Sequence, residues 1–277
     1  MNAYQLEQFP FDTLEEYGLT REMIEDLPEH VLDTIINGGR SPLLPIRVNT
    51  KYGYSLLHAK FRIADLSSET GKLDIIFYPK LSEAPIQQFN KEEQTALLDG
   101  KIIVTEMTHK IDNTEEVCKE RCYVQLDRET NHVFYVATPI IARNLIAVDN
   151  SFNLTFEDYE DILAGKIVSV QEPEYVTIGV DLFTETGLFV CAGDELAWKK
   201  VVGKRLPKYS FGLEGCWINE KGALRYVKEE DFDIEIVEAR HRLKEQNEKK
   251  MQSHANPDTT QHVSVEEEKE RASQLSR

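Results

Sequence analysis

The sequence predicts an α+β fold: three repeated units, each a helix plus an antiparallel three-stranded meander, with a helical N-terminal lead-in and a terminal hairpin and helix. Three observations predict it. Three segments align without gaps on a glycine, at spacings of 62 and 65 residues. They are Leu27 to Gly38, Phe89 to Gly100 and Leu154 to Gly165, each with an aliphatic pair just before the residue that precedes the glycine: Ile35-Ile36, Leu97-Leu98 and Ile162-Leu163. Each is followed by a β-like apolar run, and each then carries Glu-Thr-Gly or Glu-Thr-Asn between alternating apolar stretches. Self-similarity at such a period marks a repeated supersecondary unit.

In chain order, Thr13-Leu-Glu-Glu16 spells a capping box before a short helix ending at Gly18, and Thr20 is placed to cap a second helix reaching Asp26. The aligned segments read as helices with both ends marked. Asn90 and Thr155 are N-cap types with Glu93 and Asp158 three residues on, and Pro28 suits a first turn. Gly38, Gly100 and Gly165 suit the left-handed position that stops a helix. Arg40, Lys101 and Lys166 follow and read as compensation of the helix dipole, with ligand coordination as the sharper alternative.

The first strands are Leu43–Val48, Ile102–Thr105 and Ile167–Val170, and the hairpin turns fall at Gly71, Asn131 and Gly187, residues that tolerate positive φ. The first hairpin is long in the second unit (Thr108 to Glu120) and short in the third (Gln171 to Tyr175). Asp194 to Val202 reads as a further helix carrying Trp198. Ser210–Asn219 and Ala223–Val227 flank Glu220-Lys221-Gly222 as a hairpin expected to cap the last sheet. Phe232 to Lys250 is loosely amphipathic, and Met251 to Arg277 lacks the large apolar residues that would offset ordering entropy, so a disordered tail is expected. The predicted partition is 1–88, 89–150, 151–230, 231–250 and 251–277.

With 277 residues, 41% hydrophobic, the chain can build a core. Lys and Arg number 32 against 49 Asp and Glu, a net charge of −17, and the tail from His241 is balanced, so the excess lies in the body. Such a body repels phosphate and disfavours broad electrostatic nucleic-acid binding. No apolar run approaches membrane-helix length, and the start, Met1-Asn2-Ala3-Tyr4, lacks a basic, apolar leader. Four cysteines, Cys118, Cys122, Cys191 and Cys216, are too few for a disulfide scaffold, and a cytoplasmic location is expected.

No phosphate loop, dinucleotide fingerprint, zincin helix or nucleophile elbow occurs, so no catalytic residue, cofactor or metal is expected. Cys118 and Cys122 with His109 and His132 suggest a zinc site, but such a site wants tighter knuckle spacing and a second clear pair, so ordinary thiols are the preferred reading. Asp65 with Glu69 and Asp181 with Glu185 recur at one spacing. Because a catalytic pair normally occurs once, capping of turn backbone is the preferred reading. The aromatics Tyr54, Phe61, Phe77, Tyr78, Tyr123, Phe134, Tyr135, Phe183, Phe189 and Trp217 fall on predicted strands and read mainly as core. A base-stacking platform would want flanking cations, for which Arg62, Lys72, Lys119 and Arg121 are the candidates, and acids surround them.

Phe11-Asp-Thr-Leu-Glu-Glu-Tyr-Gly-Leu-Thr20, Ile35-Ile-Asn-Gly-Gly-Arg-Ser-Pro-Leu-Leu44 and Phe77-Tyr-Pro-Lys80 resemble the domain of unknown function DUF 4099. Leu97-Leu-Asp-Gly-Lys101 and Tyr123-Val-Gln-Leu-Asp-Arg-Glu-Thr-Asn131 resemble its companion DUF 3945. The resemblance covers most of residues 9 to 230 and implies a context, the conjugative and integrative elements of anaerobic gut bacteria near DNA-processing genes, but transfers no functional residue. The double glycine at Gly38-Gly39 departs from the single glycine of the other two units. The expected function is a non-catalytic binding or adaptor protein with a protein partner, accessory to the DNA transfer or maintenance machinery of a mobile element. The alternatives are an acidic DNA mimic that inhibits a host enzyme, single-stranded nucleic-acid binding on a sheet face, and an enzyme using carboxylates on one unit.

Overall fold

Four three-stranded antiparallel sheets, each in sequential strand order, and eight α-helices make up the computed structural model, which describes residues 4–65, 73–110, 117–171, 175–202 and 206–255. The lead-in holds α1 (Phe11–Glu16) and α2 (Arg21–Glu25). The first repeat is α3 (Glu29–Ile36), β1 (Leu44–Thr50), β2 (Gly53–Asp65) and β3 (Leu73–Pro79). The second is α4 (Lys91–Leu98), β4 (Ile103–Lys110), β5 (Val117–Asp127) and β6 (His132–Ala137). A helix the sequence reading passed over, α5 (Thr138–Phe152), leads to the third: α6 (Phe156–Leu163), β7 (Val168–Val170), β8 (Val176–Val180) and β9 (Leu188–Ala192). Then come α7 (Glu195–Val202) and a last sheet of β10 (Tyr209–Phe211), β11 (Gly215–Glu220) and β12 (Ala223–Lys228). Two compact units result, Met1–Tyr226 and Val227–Arg277.

Local chemistry sets the helix ends. Asn90 and Thr155 accept the amides of Glu93 and Asp158 at 2.9 and 3.1 Å, and both capping boxes close. Gly38, Gly100 and Gly165 have φ of +77°, +80° and +81°. At the hairpin turns Asn131 and Gly187 have φ of +62° and +71°, while Gly71 lies outside the described residues. The capping box expected at Thr13 does not form: α1 starts earlier, at Phe11, because burial of Phe11 and Leu14 sets its phase and leaves Thr13 inside the helix.

The extra glycine of the first repeat has a structural reason. In the second and third repeats the amides of Lys101 and Lys166 close the helix end onto Ala96 and Asp161 carbonyls, each at 2.9 Å. In the first repeat Gly39 makes this bond, to Thr34 at 2.8 Å, and a Cβ on Gly39 would lie 2.7 Å from the Thr34 carbonyl oxygen. Only glycine fits, so the basic residue is displaced by one position, to Arg40.

Three apolar clusters fill the body. The first joins α1, α2 and α3 to β1 and β2, with Trp217 and Leu224 of the last sheet. The second sheet is buried on both faces, because alternate residues of β5 enter different clusters. Cys122, Val124 and Leu126 pack with Leu97 of α4, whereas Tyr123 packs with Ile141 and Leu145 of α5 and with the third sheet. The missed helix α5 thus fills the space between the second and third repeats. Its legible signal was Ile141, Leu145 and Val148 at helical spacing after Pro139 in the first turn.

The last sheet does not cap the third sheet, as the sequence suggested. It packs on the lead-in and first repeat, where Trp217 Nε1 donates to the Met23 carbonyl at 2.8 Å and the Leu224 amide to Leu43 at 3.3 Å. In the second unit α8 (Ile234–Ala255) starts at Asp233, whose carboxylate accepts the Ile236 amide at 2.9 Å. It runs past the expected end at residue 250; residues 256–277, where a disordered tail was expected, lie outside the described residues. No helix among the described residues is long and apolar enough to cross a membrane.

Candidate functional site

Displaced Arg40 does not compensate its helix dipole. Its guanidinium enters the junction of all three repeats, with the central carbon 3.6 Å from the Phe134 ring centroid and 4.9 Å from those of Tyr78 and Phe183. One ring comes from each repeat. Nη2 donates to the Leu182 carbonyl at 3.2 Å, and the faces of the three rings surround the rest of the buried guanidinium. Burial lowers the Arg40 pKa, Tyr78 and Asp127 work to raise it, and neighbouring Arg62 lowers it further. By contrast Lys166 pairs with Asp161 at 2.7 Å and Lys101 lies 3.9 Å from Asp99, both at exposed helix ends, as dipole compensation predicts.

Around the arginine, charged and polar groups bridge repeats. Lys60 of β2 lies 2.8 and 3.0 Å from the two oxygens of Asp127 and 2.7 Å from Glu129. Burial pushes the Asp127 pKa up, but the Lys60 ammonium and the amides of Glu129 and Thr130 outweigh it, so the net shift is downward. Gln125 accepts the Leu182 amide at 2.7 Å, His132 Nε2 lies 2.7 Å from the Pro79 carbonyl, and Asn131 donates to Leu81 at 2.8 Å. Tyr78, Phe134 and Phe183 also meet edge to face, at 5.3 and 6.0 Å.

Asp181 stands apart. Its Oδ1 accepts the Phe183 amide at 3.0 Å, which is turn capping. Burial raises its pKa, against the Phe183 amide, Gln125, Arg40 and Lys60, all of which lower it. A raised folded-state pKa means the folded form holds the proton more tightly. That contribution to stability is complete at acidic pH, below the unfolded value, and is lost as pH rises through the folded pKa. Asp181→Asn, neutral throughout, is therefore expected to melt above wild type near pH 7 and together with it near pH 3, in parallel thermal unfolding series followed by circular dichroism.

A second buried polar cluster joins the lead-in to the last sheet. Asp26 is 3% exposed; its carboxylate accepts the Leu213 amide at 2.6 Å, the Glu214 amide at 3.1 Å and the Tyr226 hydroxyl at 2.6 Å. Burial and the Asp26 charge push the Tyr226 hydroxyl far up, so it stays a donor.

The remaining sequence candidates scatter. In register Cys118 opposes His109, while His132 opposes Asp127 across the other edge of β5. The Cys122 thiol is pushed up by burial and by Glu120, which disfavours the thiolate a metal needs. No group of three His, Cys, Asp or Glu suited to a metal occurs among the described residues. The Asp65–Glu69 pair falls largely outside them, as does Lys72. Of the aromatics, Phe61, Tyr123 and Trp217 are core, while Tyr54 and Tyr135 are exposed. An open depression of about 390 Å³ on α4, lined by Lys91, Glu92, Thr95, Ala96, Asp99 and Lys101, brings together ordinary surface charges.

The sequence marks Arg40 as a dipole-compensating cation, and its place between the three rings has no local signal; a basic stretch is also legible only when charge is counted locally. From Thr34 to Ala64 there is no Asp or Glu, yet the stretch holds Arg40, Arg47, Lys51, Lys60 and Arg62. Counting charge in windows along the chain, in place of a single total, would have exposed it. Comparison with protein-family models, with curated proteins and with solved structures yields no match.

Proposed function

We propose that the protein is a non-catalytic binding protein, an adaptor that takes a protein partner and serves the DNA transfer or maintenance machinery of a mobile genetic element. The mobile-element setting is the one implied by the resemblance to DUF 4099 and DUF 3945. The observation that carries the reading is where the polar side chains converge. Arg40, Lys60, Asp127 and Gln125 all bond across repeats in the interior, where they hold the units together, and the large exposed apolar side chains sit on hairpins and outer helix faces. Groups committed to neighbouring repeats supply rigidity, and exposed apolar groups supply contact area. The test is affinity purification of the tagged full chain from its host, with and without nuclease. A specific protein retained after nuclease is the expected result; recovery of nucleic acid alone, with every protein lost after nuclease, overturns the reading.

A further inference from the structure

The β1–β2 hairpin of the first repeat departs in charge from the rest of the chain. Asp and Glu outnumber Lys and Arg by 49 to 32 overall, yet none occurs between Asp33 and Asp65. Register pairs Arg47 with Leu56, Asn49 with Tyr54 and Pro45 with His58. These six share one face, opposite to Ile46, Ala59 and Phe61, which are buried. On that face and at the adjoining turn the apolar residues are open to water: Tyr52 is 98% exposed, Tyr54 65% and Leu56 71%. Arg47, Lys51 and His58 are exposed beside them, and the Arg47 guanidinium lies 5.8 Å from the Tyr54 ring centroid. No carboxylate among the described residues pairs with Arg47 or Lys51.

Exposed rings, beside cations that form no ion pair among the described residues, on a hairpin whose paired residues 44–59 carry no acid, complement a particular ligand chemistry. Planar unpaired bases stack on tyrosine rings, and the phosphates between them need cations. A duplex keeps its bases inside the helix and offers the rings nothing. An acidic polypeptide would answer the cations and leave the ring faces without a planar partner. The −17 charge elsewhere repels a polyanion beyond the hairpin, which confines the footprint to a few nucleotides and keeps affinity modest.

We propose that the outer face of the β1–β2 hairpin binds single-stranded nucleic acid, stacking bases on Tyr52 and Tyr54 and pairing phosphates with Arg47 and Lys51. This goes beyond the adaptor reading and stands or falls separately from it. The experiment is fluorescence anisotropy of the full chain with labelled oligothymidylate of about 20 nucleotides at low salt, with a duplex of equal length and an oligoglutamate peptide as competitors. Expected is saturable binding that weakens with salt, is not displaced by the duplex or the peptide, and drops at least about tenfold in Tyr52→Ala/Tyr54→Ala. Arg47→Ala/Lys51→Ala should weaken binding and flatten the salt slope by about 1.4, two contacts at about 0.7 each for a single strand. Tyr52→Phe/Tyr54→Phe keeps the stacking face and should bind as wild type, which separates lost stacking from lost folding. Absence of oligothymidylate binding, equal binding by the Tyr→Ala variant, or displacement by duplex or oligoglutamate overturns the proposal. A protein partner retained in the nuclease experiment would leave the adaptor reading standing in each of those cases.

Discussion

Asp26→Ala is expected to cost the body about 4 kcal/mol, the largest single effect of any polar substitution proposed for this chain. The carboxylate holds the amides of Leu213 and Glu214 and the hydroxyl of Tyr226, all reached across more than 180 residues of sequence. Alanine leaves three donors in a water-poor site without an acceptor, at about 1 to 3 kcal/mol each, less whatever water regains entry. Space is matched as tightly as charge, since a Cβ on Gly212 would lie 2.1 Å from the Asp26 carboxyl carbon. Asp26→Asn keeps one acceptor oxygen but turns a donor towards donors, and about half the loss is expected. For a body of this size about 4 kcal/mol corresponds to a fall in Tm of roughly 10 °C, read by differential scanning calorimetry. A fall of less than about 2 °C would mean the terminal sheet is not held through this carboxylate.

Arg40→Ala comes next, at about 3 kcal/mol. The substitution empties the space between Tyr78, Phe134 and Phe183, removes the donor to Leu182, and takes a cation away from Asp127 and Asp181. Desolvation of the guanidinium offsets part of the gain, which keeps the figure below the sum of three cation–π contacts. Arg40→Lys separates charge from shape. An ammonium retains the charge but cannot lie flat on Phe134 while bonding Leu182, so an intermediate loss is expected. Urea unfolding is the measurement: the midpoint should fall with the slope unchanged. A slope that falls together with the midpoint would instead show the repeats coming apart in separate steps.

Repeat architecture was legible because it rests on local chemistry. Capping at Asn90 and Thr155, positive φ at Gly100 and Gly165, and alternation along β2 from His58 to Ile63 are each decided within a few residues. Docking between repeats was not legible. Nothing near Trp217 in the sequence names Met23 as its acceptor, and a hairpin that follows the third unit in the chain carries no local mark of the sheet it packs on. At Arg40 the doubled glycine was visible, but its consequence, a cation moved from a helix end into an interior, requires the partner rings of the other two repeats. The exposed hairpin was hidden by averaging: a total of −17 masks a stretch of 31 residues without an acid.

The placement of Trp217 and Leu224 in the core of the first repeat also sets an order of events during synthesis. Helices α1 to α3 leave the ribosome before the last sheet, and the side chains that complete their apolar cluster are made about 190 residues later, roughly 10 to 40 s at common elongation rates. During that interval the cluster around Leu14, Leu19 and Ile24 lacks Trp217 and Leu224. The second and third repeats, whose clusters are built from residues 84 to 190 alone, can consolidate while the first still waits. Vectorial folding is thereby inverted among the repeats: the first, made before the other two, closes after them, and nascent chains stopped before residue 217 should depend on chaperones that shield exposed apolar surface.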